Sequence, residues 1–149
     1  MPLTPTRSRT IVTLSLIALA ALALPGCLRS ATITEREPYP KNYTTIEPSN
    51  IQIYRQGRSI TLTNTTATNF GPSTIWLNRW FSRDIEALDI GQTLTLSLVD
   101  FKDEYDDHFK GGGFFATTAP ERIVHAELET QLDTDRVLLP LIVVGQREY

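Results

Sequence analysis

A single cysteine stands among 149 residues, so the chain cannot close an internal disulfide. Histidine is nearly as scarce, at two. With no second cysteine and no H-E-x-x-H spacing, a zinc site is short of ligands. No apolar run reaches the roughly 20 residues that a helix needs to span a bilayer core. The longest, Ile11 to Leu24, has 14. Excess positive charge is also missing. The whole chain carries 14 basic and 17 acidic residues, a formal charge of −3. Residues 1–26 hold Arg7 and Arg9 and no acid, so the remainder has 12 basic against 17 acidic residues, or −5. That balance argues against nucleic acid as a partner, because a phosphate backbone is met with a basic footprint. It argues equally against a polybasic grip on anionic lipid.

The first 27 residues have three parts. MPLTPTRSR carries two arginines, IVTLSLIALAALAL is uncharged and apolar, and the apolar run ends at Leu24-Pro25-Gly26-Cys27. This is the plan of an export signal. The final tetrad resembles the lipobox of bacterial lipoproteins, with an aliphatic residue three before the cysteine and a small one just before it. The resemblance implies a signal peptide over 1–26, a diacylglycerol on the Cys27 thiol, cleavage after Gly26 and a membrane as partner. Two or more acyl chains suffice for stable anchoring, at about 0.8 kcal/mol per buried CH₂. Leu28 follows the cysteine, where Asp favours inner-membrane retention in Gram-negative lipoproteins. The implied location is the cell envelope, and the outer membrane where the cell has one. The plainer alternatives are an ordinary cleaved signal with an incidental cysteine and an uncleaved anchor.

Residues 27–49 mix Thr, Ser, Glu and Arg with Pro38, Pro40 and Pro48, and their apolar positions show no period. They read as a flexible, lipid-anchored linker. From residue 50 to 149 the pattern becomes short and alternating, which predicts one domain. Residues 51–54 and 59–64 read as a hairpin about Gln56-Gly57-Arg58. TLTLSLV at 93–99 is a clean strand, with Leu94, Leu96 and Leu98 on one face. Residues 123–132 alternate as well, and strand is preferred there over helix. Residues 137–144 (VLLPLIVV) read as a buried strand, with an edge or bulge at Pro140, which lacks a ladder donor. Residues 73–81 and 114–117 complete about seven strands. An all-β fold is expected, a small β-sandwich that is immunoglobulin-like in strand count and size only.

Each site candidate has a bland reading beside it. Asp100, Asp103, Asp106 and Asp107, with Glu104 and His108, could gather oxygens around Ca²⁺, or form a solvated loop without EF-hand spacing. Trp76 and Trp80 would share one face of a strand and could stack on a glycan; buried tryptophan is the commoner use. Gly111-Gly112-Gly113 lacks the Lys-Ser/Thr ending of a phosphate loop, and reads as a turn that lets Phe114 and Phe115 enter the core. The serines lie in no G-x-S-x-G elbow, so His108 and His125 lack the companions of a triad. Asn42-Tyr43-Thr44 and Asn64-Thr65-Thr66 match the glycosylation sequon, read as chance matches in a bacterial export context. The expectation is a non-catalytic interaction or accessory domain, its partner an envelope protein or glycan, with Val137–Val144 offering an edge for strand addition if open.

Overall fold

The computed structural model describes residues 36–147. The chain divides by contact into 1–32 and 33–149, and every described residue belongs to the second unit. The proposed signal peptide and Cys27 lie outside the described residues.

The described chain forms eight strands: β1 (Thr44–Thr45), β2 (Gln52–Gln56), β3 (Ser59–Thr63), β4 (Ser73–Leu77), β5 (Phe81–Ile85), β6 (Thr93–Ser97), β7 (Ala126–Leu132) and β8 (Asp135–Arg147). The all-β class expected from the alternation is present. They join in one sheet ordered β5-β4-β7-β8-β2-β3-β6, with β1 also on β8. The alternation of β2 and β3 explains their placement: Ile53, Ile60 and Leu62 turn inward while their neighbours are exposed or half-buried. Gly57, with φ 58°, takes the first central position of the two-residue turn between them.

β8 organises the fold. Its first half pairs antiparallel with β7 from Asp135 to Leu141, and its second half pairs parallel with β2 from Ile142 onward. Val137 and Leu138 also pair with β1. Pro140 sits in the gap where β1 has ended and β2 has not begun. Its carbonyl accepts the Ser49 N–H at 3.1 Å, so the missing donor falls on the side where neither β1 nor β2 pairs, while Glu127 of β7 pairs on the other side. Further along, Tyr54 pairs with Val144 but Arg55 with Gln146. Gly145, with φ 59°, is the extra residue of that bulge. The strand read as a candidate edge is therefore central and flanked on both sides, and it offers no row of open backbone groups to a partner.

One apolar cluster ties the two halves of the sheet together. Ile53, Ile60, Leu62 and Leu96 belong to it alongside Ile75, Leu77, Leu128 and Leu139. Each such side chain contributes about 1.5–3 kcal/mol on burial. Phe81 and Phe109 meet edge to face within the cluster, ring centroids 5.2 Å apart. After β6 the chain makes one 3₁₀ turn, Leu98–Asp100. Lys102 then exchanges both backbone hydrogen bonds with Ser82 of β5, at 2.8 and 3.1 Å. The segment after β6 thus returns to the other end of the strand order, and the sheet curls.

Two expected strands differ. Residues 73–81 are two strands, because Asn78 and Arg79 both have positive φ (55° and 59°) and turn the chain back. The Trp80 N–H closes that turn on the Leu77 carbonyl at 3.0 Å. Residues 114–117 pair with no strand: Phe114 and Phe115 form an exposed turn. Residues 36–49, read as part of the linker, are laid against the sheet. They contribute β1 and carry side chains bonded to β5 and β7.

Candidate functional site

The alternation of β7 puts Glu127, Glu129 and Gln131 on the face away from the core. The register aligns Glu127 with Trp76 and Glu129 with Thr74 on β4. The next strand over adds Ser82 opposite Trp76 and Asp84 opposite Thr74. A sheet face of this composition would ordinarily be hydrated. Here both glutamates are buried, at 4% and 7% exposure: Glu127 lies against Tyr39 of a strap formed by residues 36–43, and Glu129 lies against Trp76 and Arg136.

The strap is held by specific bonds. Arg36 donates to the Ser82 carbonyl at 2.9 Å and to its hydroxyl at 3.3 Å. The Tyr39 hydroxyl donates to Glu127 Oε2 at 2.9 Å. The Tyr39 ring meets Trp76 edge on, with centroids 5.4 Å apart, and the Arg79 guanidinium lies over the Tyr39 ring, 5.9 Å from its centroid. Burial and the hydrogen bond to the Glu127 carboxylate push the Tyr39 phenol up to about 12. Tyr43 accepts from Arg136 at 3.3 Å.

Each buried carboxylate is compensated. Glu129 accepts the Trp76 indole N–H at 2.8 Å and pairs with Arg136 at 3.2 Å. Glu127 pairs with Arg79 at 3.6 Å. Both guanidinium groups are more than half exposed. Beside this network lies an open cleft of about 580 Å³, lined among others by Arg36, Glu37, Asp84, Glu129, Gln131 and Arg136. Its wall offers fixed carboxylates and planar guanidinium donors side by side, which suits polar groups with both donors and acceptors.

The other sequence candidates come apart. Asp100 pairs with Arg83 at 2.9 Å and Asp106 with Lys102 at 2.6 Å. The lysine holds the Asp106 carboxyl below its ordinary value. Asp103 is buried, and its oxygens accept the N–H groups of Tyr105 and Asp107 and the indole of Trp80. Asp107 is exposed. Among the described residues no three His, Cys, Asp or Glu side chains are placed to hold a metal. Asp100, Asp103 and Asp106 are thus each engaged by a different local partner rather than gathered about one point, and Asp107 stands exposed.

Trp76 and Trp80 do not share a face. Trp76 is buried beneath Tyr39, whereas Trp80 is pushed off the sheet by the turn and half exposed. Trp80 borders a second cleft with Asp103, Asp107, His108 and Lys110. His108 Nδ1 engages the Val99 carbonyl, and His125 stands exposed just before β7. Asn64 of the second sequon is fully buried. Its amide donates to the Thr68 and Leu88 carbonyls and accepts from the Thr66 backbone and hydroxyl. It is a structural pin.

No protein-family model matches the chain, and neither the curated proteins nor the solved structures give a significant match. Among the described residues no helix is long and apolar enough to cross a membrane.

Proposed function

We propose that this protein is an envelope lipoprotein, anchored by acyl chains on Cys27, whose β domain is a non-catalytic interaction module. The observation that carries the reading is the strap. Arg36, only nine residues beyond Cys27, is already bonded to the sheet. Nine residues reach at most about 30 Å when fully extended. A lipidated Cys27 would therefore hold the domain close to its membrane, the outer one in a cell that has two. The cleft of Arg36, Asp84, Glu129 and Arg136 is the proposed docking site for a polar segment of an envelope protein.

A photo-crosslinking residue at Asp84, in the lipidated protein within intact envelopes, tests this. A discrete adduct that disappears when Arg36 and Arg136 are both changed to Ala is the expected result. Absence of any adduct at Asp84, with abundant protein in the membrane fraction, would refute the docking site.

A second reading rests on Trp80. A half-exposed indole beside Asp103, Asp107 and Lys110 is suited to stacking on a sugar ring while polar groups take its hydroxyls. Titration with soluble cell-wall oligosaccharides would quench Trp80 emission on this reading, and Trp80→Phe would abolish the response.

A further inference from the structure

The loop between Lys110 and Glu121 has a fixed base and an apolar tip. Buried Arg55 donates to the Gly111 carbonyl at 2.9 Å and to the Glu121 carbonyl. The two ends of the loop are also joined directly, the Glu121 N–H bonding to the Lys110 carbonyl at 2.8 Å. Gly112 and Gly113 have φ of 76° and 142°, conformations that side chains rarely adopt. They turn the chain outward, and Phe114 and Phe115 follow at 96% and 91% exposure. Their rings meet edge to face with centroids 5.0 Å apart. A soluble surface gains nothing from two adjacent exposed phenylalanines, and such a feature marks a contact site.

We propose that this loop is a membrane-contacting finger, with Phe114 and Phe115 seated at the headgroup–acyl boundary of the bilayer that holds Cys27. The proposal rests on the lipid-anchor reading. Two observations choose a bilayer as the occupant. The first is where the undescribed chain emerges. Arg36 is bonded to Ser82, Ser82 is bridged to Lys102, and Lys102 is bridged to His108, two residues before Lys110. Arg36, nine residues beyond Cys27, thus joins the sheet at Ser82, two backbone bridges from the segment that leads into the finger, and nine residues reach at most about 30 Å. The second is charge. The chain is acidic, yet the exposed residues at the finger's base include Lys110 and Arg58, and a Cβ at Gly113 would lie 3.4 Å from Arg58 Cδ. Aromatic rings at a tip with cations behind them fit an interface whose outer layer carries phosphate.

The test is Phe114→Trp in the full chain, matured in its host and reconstituted into phosphatidylethanolamine–phosphatidylglycerol vesicles with brominated acyl chains. The wild-type chain supplies the background from Trp76 and Trp80, and mass spectrometry of the same sample reads Cys27. With Cys27 acylated, the introduced indole should emit blue-shifted light and lose most of it to the brominated lipid. Acylated protein whose introduced indole stays aqueous, quenched by acrylamide and untouched by lipid, overturns the finger and leaves the anchor standing. Unacylated protein whose indole is still quenched on vesicles supports the finger and overturns the anchor; unacylated and aqueous overturns both. A blue shift without vesicles, in protein that sediments as a dimer, assigns the tip to a second copy and overturns the bilayer.

Discussion

Replacing Glu129 by Ala should destabilise the domain more than removing the arginine that neutralises it. Glu129 accepts the indole N–H of Trp76, a residue 4% exposed, at 2.8 Å. Truncation orphans that donor beneath Tyr39, at about 1–3 kcal/mol. Lost packing of the buried glutamate adds to it, so a cost on the order of 2–3 kcal/mol follows. Arg136 is 55% exposed, and Glu129 keeps the Trp76 indole and borders the open cleft, so water takes the place of the guanidinium and Arg136→Ala costs about 1 kcal/mol. For a domain near 100 residues each kcal/mol is roughly 5 °C in Tm, so the two variants should separate by on the order of 10 °C. The cycle with Trp76→Phe sharpens the claim. Once the indole N–H is gone, Glu129→Ala leaves nothing orphaned, so the double variant should cost less than the two singles together. Urea melts of the four proteins measure the coupling. Additivity within about 0.5 kcal/mol would refute the bonded pair as the reason for Glu129.

Three further outcomes follow from the same geometry. Asn78→Ala forces a Cβ residue without an amide into φ 55° and removes the bonds to the Val124 N–H and Arg122 carbonyl, so a loss of about 1–3 kcal/mol is expected in thermal melts. Tyr39 ionises at about 12 when folded, against 10 when unfolded; its neutral form is favoured by the fold, so stability is intact below pH 10 and falls as pH rises toward 12. Tyr39→Phe should flatten that alkaline limb in pH-dependent denaturation. Phe114→Ser with Phe115→Ser should leave the unfolding free energy from urea melts within about 0.5 kcal/mol of wild type, since both rings are exposed.

The strands were legible wherever one face is buried and the other wet, as in β2, β3 and β6. The turn at Asn78 was not, because an apolar run continues on both sides of it and only the tolerance of Asn for positive φ marks the break. The alternation of β7 is legible too, and it sets Glu127 and Glu129 on the face opposite Leu128, yet both are buried. Glu127 is met by Tyr39, 88 positions away in sequence, and Glu129 by Trp76, 53 positions away, and no local pattern encodes either. Phe114 and Phe115 misled in the opposite sense. Their apolar character points to the core, whereas the backbone of Gly112 and Gly113 turns them out. In the acidic loop Lys102 lies four residues from Asp106 and is legible as its partner, whereas Arg83 and the Trp80 indole come within reach of Asp100 and Asp103 only in the folded sheet.

The central claim is the anchor at Cys27, and intact-mass and peptide mass spectrometry of the mature protein from envelope membranes tests it most directly. The account predicts an N-terminal peptide that begins at Cys27 and carries diacylglycerol on its sulfur. A mature chain that begins elsewhere, or a Cys27 thiol without lipid, would contradict it.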